Sequence, residues 1–146
     1  MNVGDFDSLS DAEIVACFRS ASLERAKCGF NAAKGNRIVD RKMTPAYDAL
    51  KARGVTAVRA LLALTEDPNP NVRADAASYG YDADPTRCRD VLKRLVGEPG
   101  LPGAVAVVWL VNKDLDFRTE FEEMGRLGAN HFLQELDRRY PPKRNS

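Results

Sequence analysis

The 146-residue chain has one histidine, His131, and three cysteines, Cys17, Cys28 and Cys88, with no CxxC pair among them. That shortage argues against a zinc or iron–sulfur centre, because such sites need clustered Cys and His ligands. Three widely spaced cysteines read as free thiols in a reducing compartment, not as a disulfide framework. Long apolar runs are also missing. The longest, Ala104 to Val111, has eight residues, against about 20 for a membrane span. The acidic start, Met1 to Asp7, has no basic segment leading into an apolar one, so no secretory signal is expected. The expected location is cytoplasmic, with no membrane partner. No GxSxG elbow, HExxH, P-loop or GxGxxG occurs. Neither an enzyme nor a bound metal or cofactor is expected. A net charge of +1 leaves no global field to draw the chain to nucleic acid.

What is present is a globular composition, 44% hydrophobic and 29% charged, at a length that suits one domain over 1–146. Ser10-Asp11-Ala12-Glu13 has the form of a capping box. Behind it Ile14, Cys17, Phe18 and Ala21 return at helical spacing, which predicts a helix over about 11–29 ended by Gly29 or Gly35. A second helix is predicted over roughly 36–53, with Val39, Met43, Ala46 and Leu50 on one face. Pro45 lies inside it. Either the helix kinks there, or it restarts with Thr44 as N-cap and Pro45 in the first turn. Val58, Leu61, Leu62 and Thr65 make the next stripe. Asn69-Pro70 and Asp84-Pro85 each set a capping residue before a proline that suits a first helical turn. Val72, Ala76 and Tyr79 form the inner face after the first, and Cys88, Val91, Leu92 and Leu95 the stripe after the second.

Ala104 to Val111 is apolar on every side. Its valines favour a strand, but no other segment alternates to pair with it, so a buried helix is expected, with Trp109 as a core anchor. One or two helices follow over Phe117 to Tyr140, hinged around Gly125 and Gly128, then a frayed tail over 141–146.

Two stretches, 58–79 and 88–111, share one plan: an amphipathic helix, a Pro/Gly-rich turn, then an Ala/Val-rich helix. Pro68 and Pro99, Leu61 and Leu92, and Leu64 and Leu95 are each 31 residues apart. Repeats of this size stack helical hairpins. The first unit, with Leu61-Leu62-Ala63-Leu64, Asp67-Pro68-Asn69-Pro70-Asn71-Val72-Arg73 and Ala76-Ala77, resembles a HEAT repeat. Asn36-Arg37, Leu50-Lys51-Ala52-Arg53, Arg59-Ala60-Leu61-Leu62 and Asn69-Pro70-Asn71-Val72-Arg73-Ala74-Asp75-Ala76-Ala77, in this order, resemble a bacterial family of HEAT-like helical proteins classed only as a domain of unknown function. The resemblance covers roughly 30–112. It implies an all-α fold, a short HEAT-like α-α superhelix of stacked antiparallel helical pairs, and supplies no reaction. Ala49 and Pro45 depart from the pattern. So does Gly103-Ala104, which replaces the Val-Arg pair in the second unit.

Charge is uneven along the chain. Glu24 to Arg59 carries a net +6, against −3 over 1–23 and −4 over 60–84. Much of this is the outer face of amphipathic helices. Lys34, Arg37 and Arg41 nevertheless make a positive strip on one exposed helix face. With Arg53, Arg73 and an exposed aromatic pair, Tyr79 and Tyr81, they are the candidate binding residues. The acid pairs Asp82/Asp84, Asp114/Asp116 and Glu120/Glu123 read as a cap and solvated helix starts. Gly97, Gly100 and Gly103 read as an inter-helix turn, and His131 as a surface or half-buried helix residue. The expected function is binding of another protein, as an adaptor or a toxin-neutralising immunity protein. The alternative is a nucleic-acid phosphate backbone held by 24–59.

Overall fold

The computed structural model describes residues 3–125, 134 and 137–140. Among them every regular element is helical and no strand occurs. Ser10 starts α1, Asp11–Lys27, through the capping box: its hydroxyl accepts from the Glu13 amide at 3.1 Å, and Glu13 accepts from the Ser10 amide at 3.2 Å. The helix ends two residues before Gly29, which takes the left-handed conformation at φ 56°. Gly35 lies inside the next helix, α2, Ala32–Ile38, capped by Asn31.

Pro45 does not restart the helix from a Thr44 cap. α2 passes through a π-helical turn, Val39–Met43, into α3, Thr44–Arg53, and the Thr44 amide donates five residues back to the Val39 carbonyl. Proline removes one helical donor and crowds the carbonyl four residues before it. A wider turn just upstream absorbs both effects.

α4, Val55–Leu61, tightens into a 3-10 turn, Leu62–Glu66. α5, Pro70–Tyr79, begins at Asn69, whose side chain accepts from the Asn71 amide at 2.9 Å. α6, Pro85–Leu95, begins at Asp84, which accepts from Arg87 N–H at 3.2 Å. α7 is Leu101–Lys113 and α8 is Leu115–Gly125. Gly103 is required at the start of α7, since a Cβ there would run into the Glu98 carbonyl. This accounts for the loss of the Val-Arg pair from the second unit.

Two apolar clusters fill the interior. Ile14, Phe18, Met43, Leu50 and Leu61 centre the first, and Leu92, Leu95, Leu110 and Phe117 the second. α5 is the wall they share: Val72 and Ala76 face the first, Ala74 and Ala77 the second. Its alanines let α1 approach on one side and α7 on the other. α3 packs on α1 and α4, and α6 on α5 and α7. No helix among the described residues is long and apolar enough to cross a membrane.

Two sequence expectations are corrected here. Asp114 is not a solvated helix start. It is buried, caps α8 by accepting from Phe117 N–H at 3.2 Å, and has Lys93 Nζ 3.7 Å from its other oxygen. The Ala104 to Val111 helix forms, but it is not buried on every side, because Val108 is 61% exposed. Gly128, His131 and the 141–146 tail lie outside the described residues.

Candidate functional site

α7 carries two apolar faces, and among the described residues one of them is covered. Pro102, Gly103, Ala106 and Leu110 point inward. Leu101, Ala104, Val105, Val108 and Trp109 instead form one wall of an open groove of about 580 Å³. The opposite wall is Phe30, Val39 and Tyr79. Phe30, between the left-handed Gly29 and the cap Asn31, is held out at 72% exposure. Contiguous apolar surface of this kind is uncommon outside interaction sites.

The floor of the groove is polar and tightly bonded. Asp75, only 4% exposed, accepts from Ser22 Oγ at 2.6 Å and from Arg25 Nη1 at 2.7 Å. Burial pushes its carboxyl above the ordinary carboxylate range, against the pull of Arg25 and Ser22. The sequence assigned none of these three residues a role in a site, although Asp75 stands in the run that carries the family resemblance. The signal was there: Asp75 completes the 72, 75, 76, 79 spacing and so sits on the inner stripe of α5, where a carboxylate needs a partner. Above it the Tyr79 hydroxyl lies 2.9 Å from Thr44 Oγ1, and its ring meets Phe18 edge-on with centroids 5.2 Å apart. Burial raises the Tyr79 phenol. Trp109 is half-buried: it packs against the second core, as expected, and also lines the groove. Its Nε1–H is buried without an acceptor among the described residues, and Lys113 stands over its ring at 5.8 Å.

The predicted binding residues divide three ways. Lys34 and Arg37 are exposed and border a depression with Lys27 and Asn31 that shares no lining residue with the groove. Arg41 is exposed one turn further on. Tyr79 lines the groove, half-buried. The remaining three belong to the scaffold. Arg53 bonds Asp11 at 3.0 Å and the Phe6 carbonyl at 2.8 Å, fastening the first turn of the chain to α3. Arg73 donates to the carbonyls of Asp67 and Pro68 at 2.8 and 3.0 Å, clamping the loop before α5. Tyr81 is 8% exposed, because the 3-10 turn Tyr81–Ala83 swings it into the second core. The exposed aromatic pair therefore does not exist.

Of the thiols, Cys88 is buried and pushed up to about 11 by desolvation, which leaves it inert. No group of three or more His, Cys, Asp or Glu suited to a metal occurs among the described residues.

No curated protein and no solved structure matches the chain. A family model does, over residues 12–114, a span that takes in every residue lining the groove. The chain belongs to that family, described as Domain of unknown function (DUF2019).

Proposed function

We propose that the chain is a non-catalytic module that binds another protein in the groove beside α7, on a scaffold of HEAT-like antiparallel helical pairs stacked into a short superhelix. The second apolar face of α7 carries the proposal. A helix apolar on all sides belongs in an interior, and here Leu101, Ala104, Val105 and Val108 look across open space at Phe30. The succession of contacts, α1 to α5 to α7 on one side and α3 to α4 on the other, supports the stacked arrangement. The polar groups of the floor bond one another and provide for the fold. An adaptor or a toxin-neutralising immunity protein in the cytoplasm would use such a surface. The phosphate-backbone reading has less support, since Arg53 and Lys42 of the basic segment are taken up by Asp11 and Glu24.

A photo-crosslinking residue at position 108, compared with one at the exposed but isolated Val55, tests the proposal in the protein's own host. The expected result is one protein adduct at 108, absent at 55 and lost when Phe30→Asp is added. No adduct at 108, or the same adducts at both positions, overturns it.

A further inference from the structure

We infer that the depression between α1 and α2 is a second binding site, one that takes a small phosphate ester, with Lys27, Lys34 and Arg37 holding the phosphoryl end. It shares no lining residue with the groove beside α7, so the inference stands apart from the protein-binding reading. An imbalance of charge in a concave place carries it. The depression has a volume of about 510 Å³, within the range of small-molecule sites. Lys27 lines it from the end of α1, and Lys34 and Arg37 line it from α2. All three are exposed, and none is in an ion pair among the described residues. Glu24 is the one acid in the lining among those residues, and Lys42 already holds it at 2.7 Å. Asp40, one turn beyond Arg37, acts on the Tyr79 phenol and does not line the depression.

Local structure does not account for the arrangement. Like charges on neighbouring turns of a helix repel. Lys34 and Arg37 are three residues apart on α2, and the fold brings Lys27 to the same hollow. Lys34 also lies in the first helical turn, where a cation opposes the helix dipole. A bound dianion turns the repulsion into attraction. Phosphate suits the site better than a carboxylate does. A phosphate monoester carries nearly two charges and three acceptor oxygens at neutral pH, and a guanidinium can bind it through two N–H groups at once. Asn31 adds to the donors: its Oδ1 accepts from the Lys34 amide at 3.2 Å, which leaves the Nδ2 hydrogens of that side chain. The three cations share one hollow, and a hollow suits the end of a small ester better than the length of a nucleic-acid backbone.

Cys28 lines the same depression and is partly exposed, so its thiol reports on the site. In a Cys17→Ser background, with Cys88 buried, Cys28 is treated with a dianionic disulfide, dithiobis(nitrobenzoate), and a neutral one, dithiodipyridine. Relative to a simple neutral thiol, the dianion should be favoured about tenfold at low salt, with the margin closing as salt rises. Lys34→Gln with Arg37→Gln should remove the margin. Both side chains are exposed, so the double variant should keep its fold, which circular dichroism checks. Methyl phosphate and adenosine monophosphate, at about pH 8 where both are dianions, should protect Cys28 from the neutral reagent. They should do so at concentrations about threefold or more below those of malonate, a carboxylate dianion, and the double variant should lose the protection. A short single-stranded oligonucleotide, matched in phosphate concentration, distinguishes an ester end from a backbone and should protect less. No protection by the esters, equal protection by malonate, stronger protection by the oligonucleotide, or protection that survives the double substitution would each overturn the inference.

Discussion

Two arginines of α1 each meet an aspartate near α5, and the outcomes are opposite. Arg19 Nε lies 2.6 Å from Asp67, and Arg25 Nη1 lies 2.7 Å from Asp75. The Arg19 hydrogen bond, with help from the Asn69 amide, holds the Asp67 carboxyl below the ordinary range. Asp75 has an arginine at the same distance and a serine hydroxyl as well, yet it is pushed up. Both aspartate side chains are nearly closed to solvent, 7% and 5% exposed, so the difference lies in what surrounds the pair: Arg19 is 43% exposed and Arg25 21%, and the cost of burial outweighs the arginine's pull only at Asp75. A short ion pair does not make a carboxylate comfortable unless what it lost in solvation is returned.

The strongest way to break this contrast is Asp75→Ala. It strands Ser22 and most of Arg25 without an acceptor, and should cost about 2–3 kcal/mol in urea unfolding. A loss near zero would mean that Arg25 simply turns to solvent. Asp67→Ala is milder. It gives up the Asn69 N–H bond of 2.9 Å that shapes the turn into α5, worth about 1 kcal/mol by the same measurement.

The next prediction is a contrast of sign. For Asp67 the unfolded chain binds more protons, so its contribution is complete above about pH 4 and lost as pH falls through the lower folded value. For Asp75 the folded chain binds more. Its contribution is most favourable below about pH 4, where the carboxyl is protonated, and is lost as pH rises towards the higher folded value. Compared by chemical denaturation across pH, wild type should therefore gain on Asp67→Asn with rising pH, at the acid end. It should lose ground to Asp75→Asn above that. Parallel curves would remove the distinction. The smallest effect sharpens the lesson. Lys42–Glu24 is also 2.7 Å long but lies in water at both ends, so Lys42→Ala should change stability by less than about 0.5 kcal/mol.

The same dependence on surroundings decided how much the sequence revealed. Local devices were legible, because Ser10 and Glu13, Asn69 and Pro70, and Asp84 and Pro85 act within one turn of themselves. The helical choice for Ala104 to Val111 also held, since it needed only the lack of a strand partner. What failed depended on distant neighbours. Arg53 found Asp11 42 residues away, and Ser22 found Asp75 53 residues away, pairings that periodicity does not encode. Tyr81 was lost to a 3-10 turn of three residues. The groove was half legible. An apolar helix was visible, but not that the described residues cover only one of its sides, nor that Phe30 would line the groove with the other.

The π-helical turn at Val39–Met43 makes the chain sensitive to its own length. It holds one more residue than an α-turn would, and that surplus sets the phase of everything after it. Val39, at the start of the turn, lines the groove, while Met43 at its end and Ala46 and Leu50 beyond it face the core. Deleting any single residue between 39 and 43 would restore regular winding and turn α3 by about 100° against α2. The groove wall and the first core would then be out of step. A one-residue deletion here should therefore be harder to accommodate than most substitutions in the same five positions.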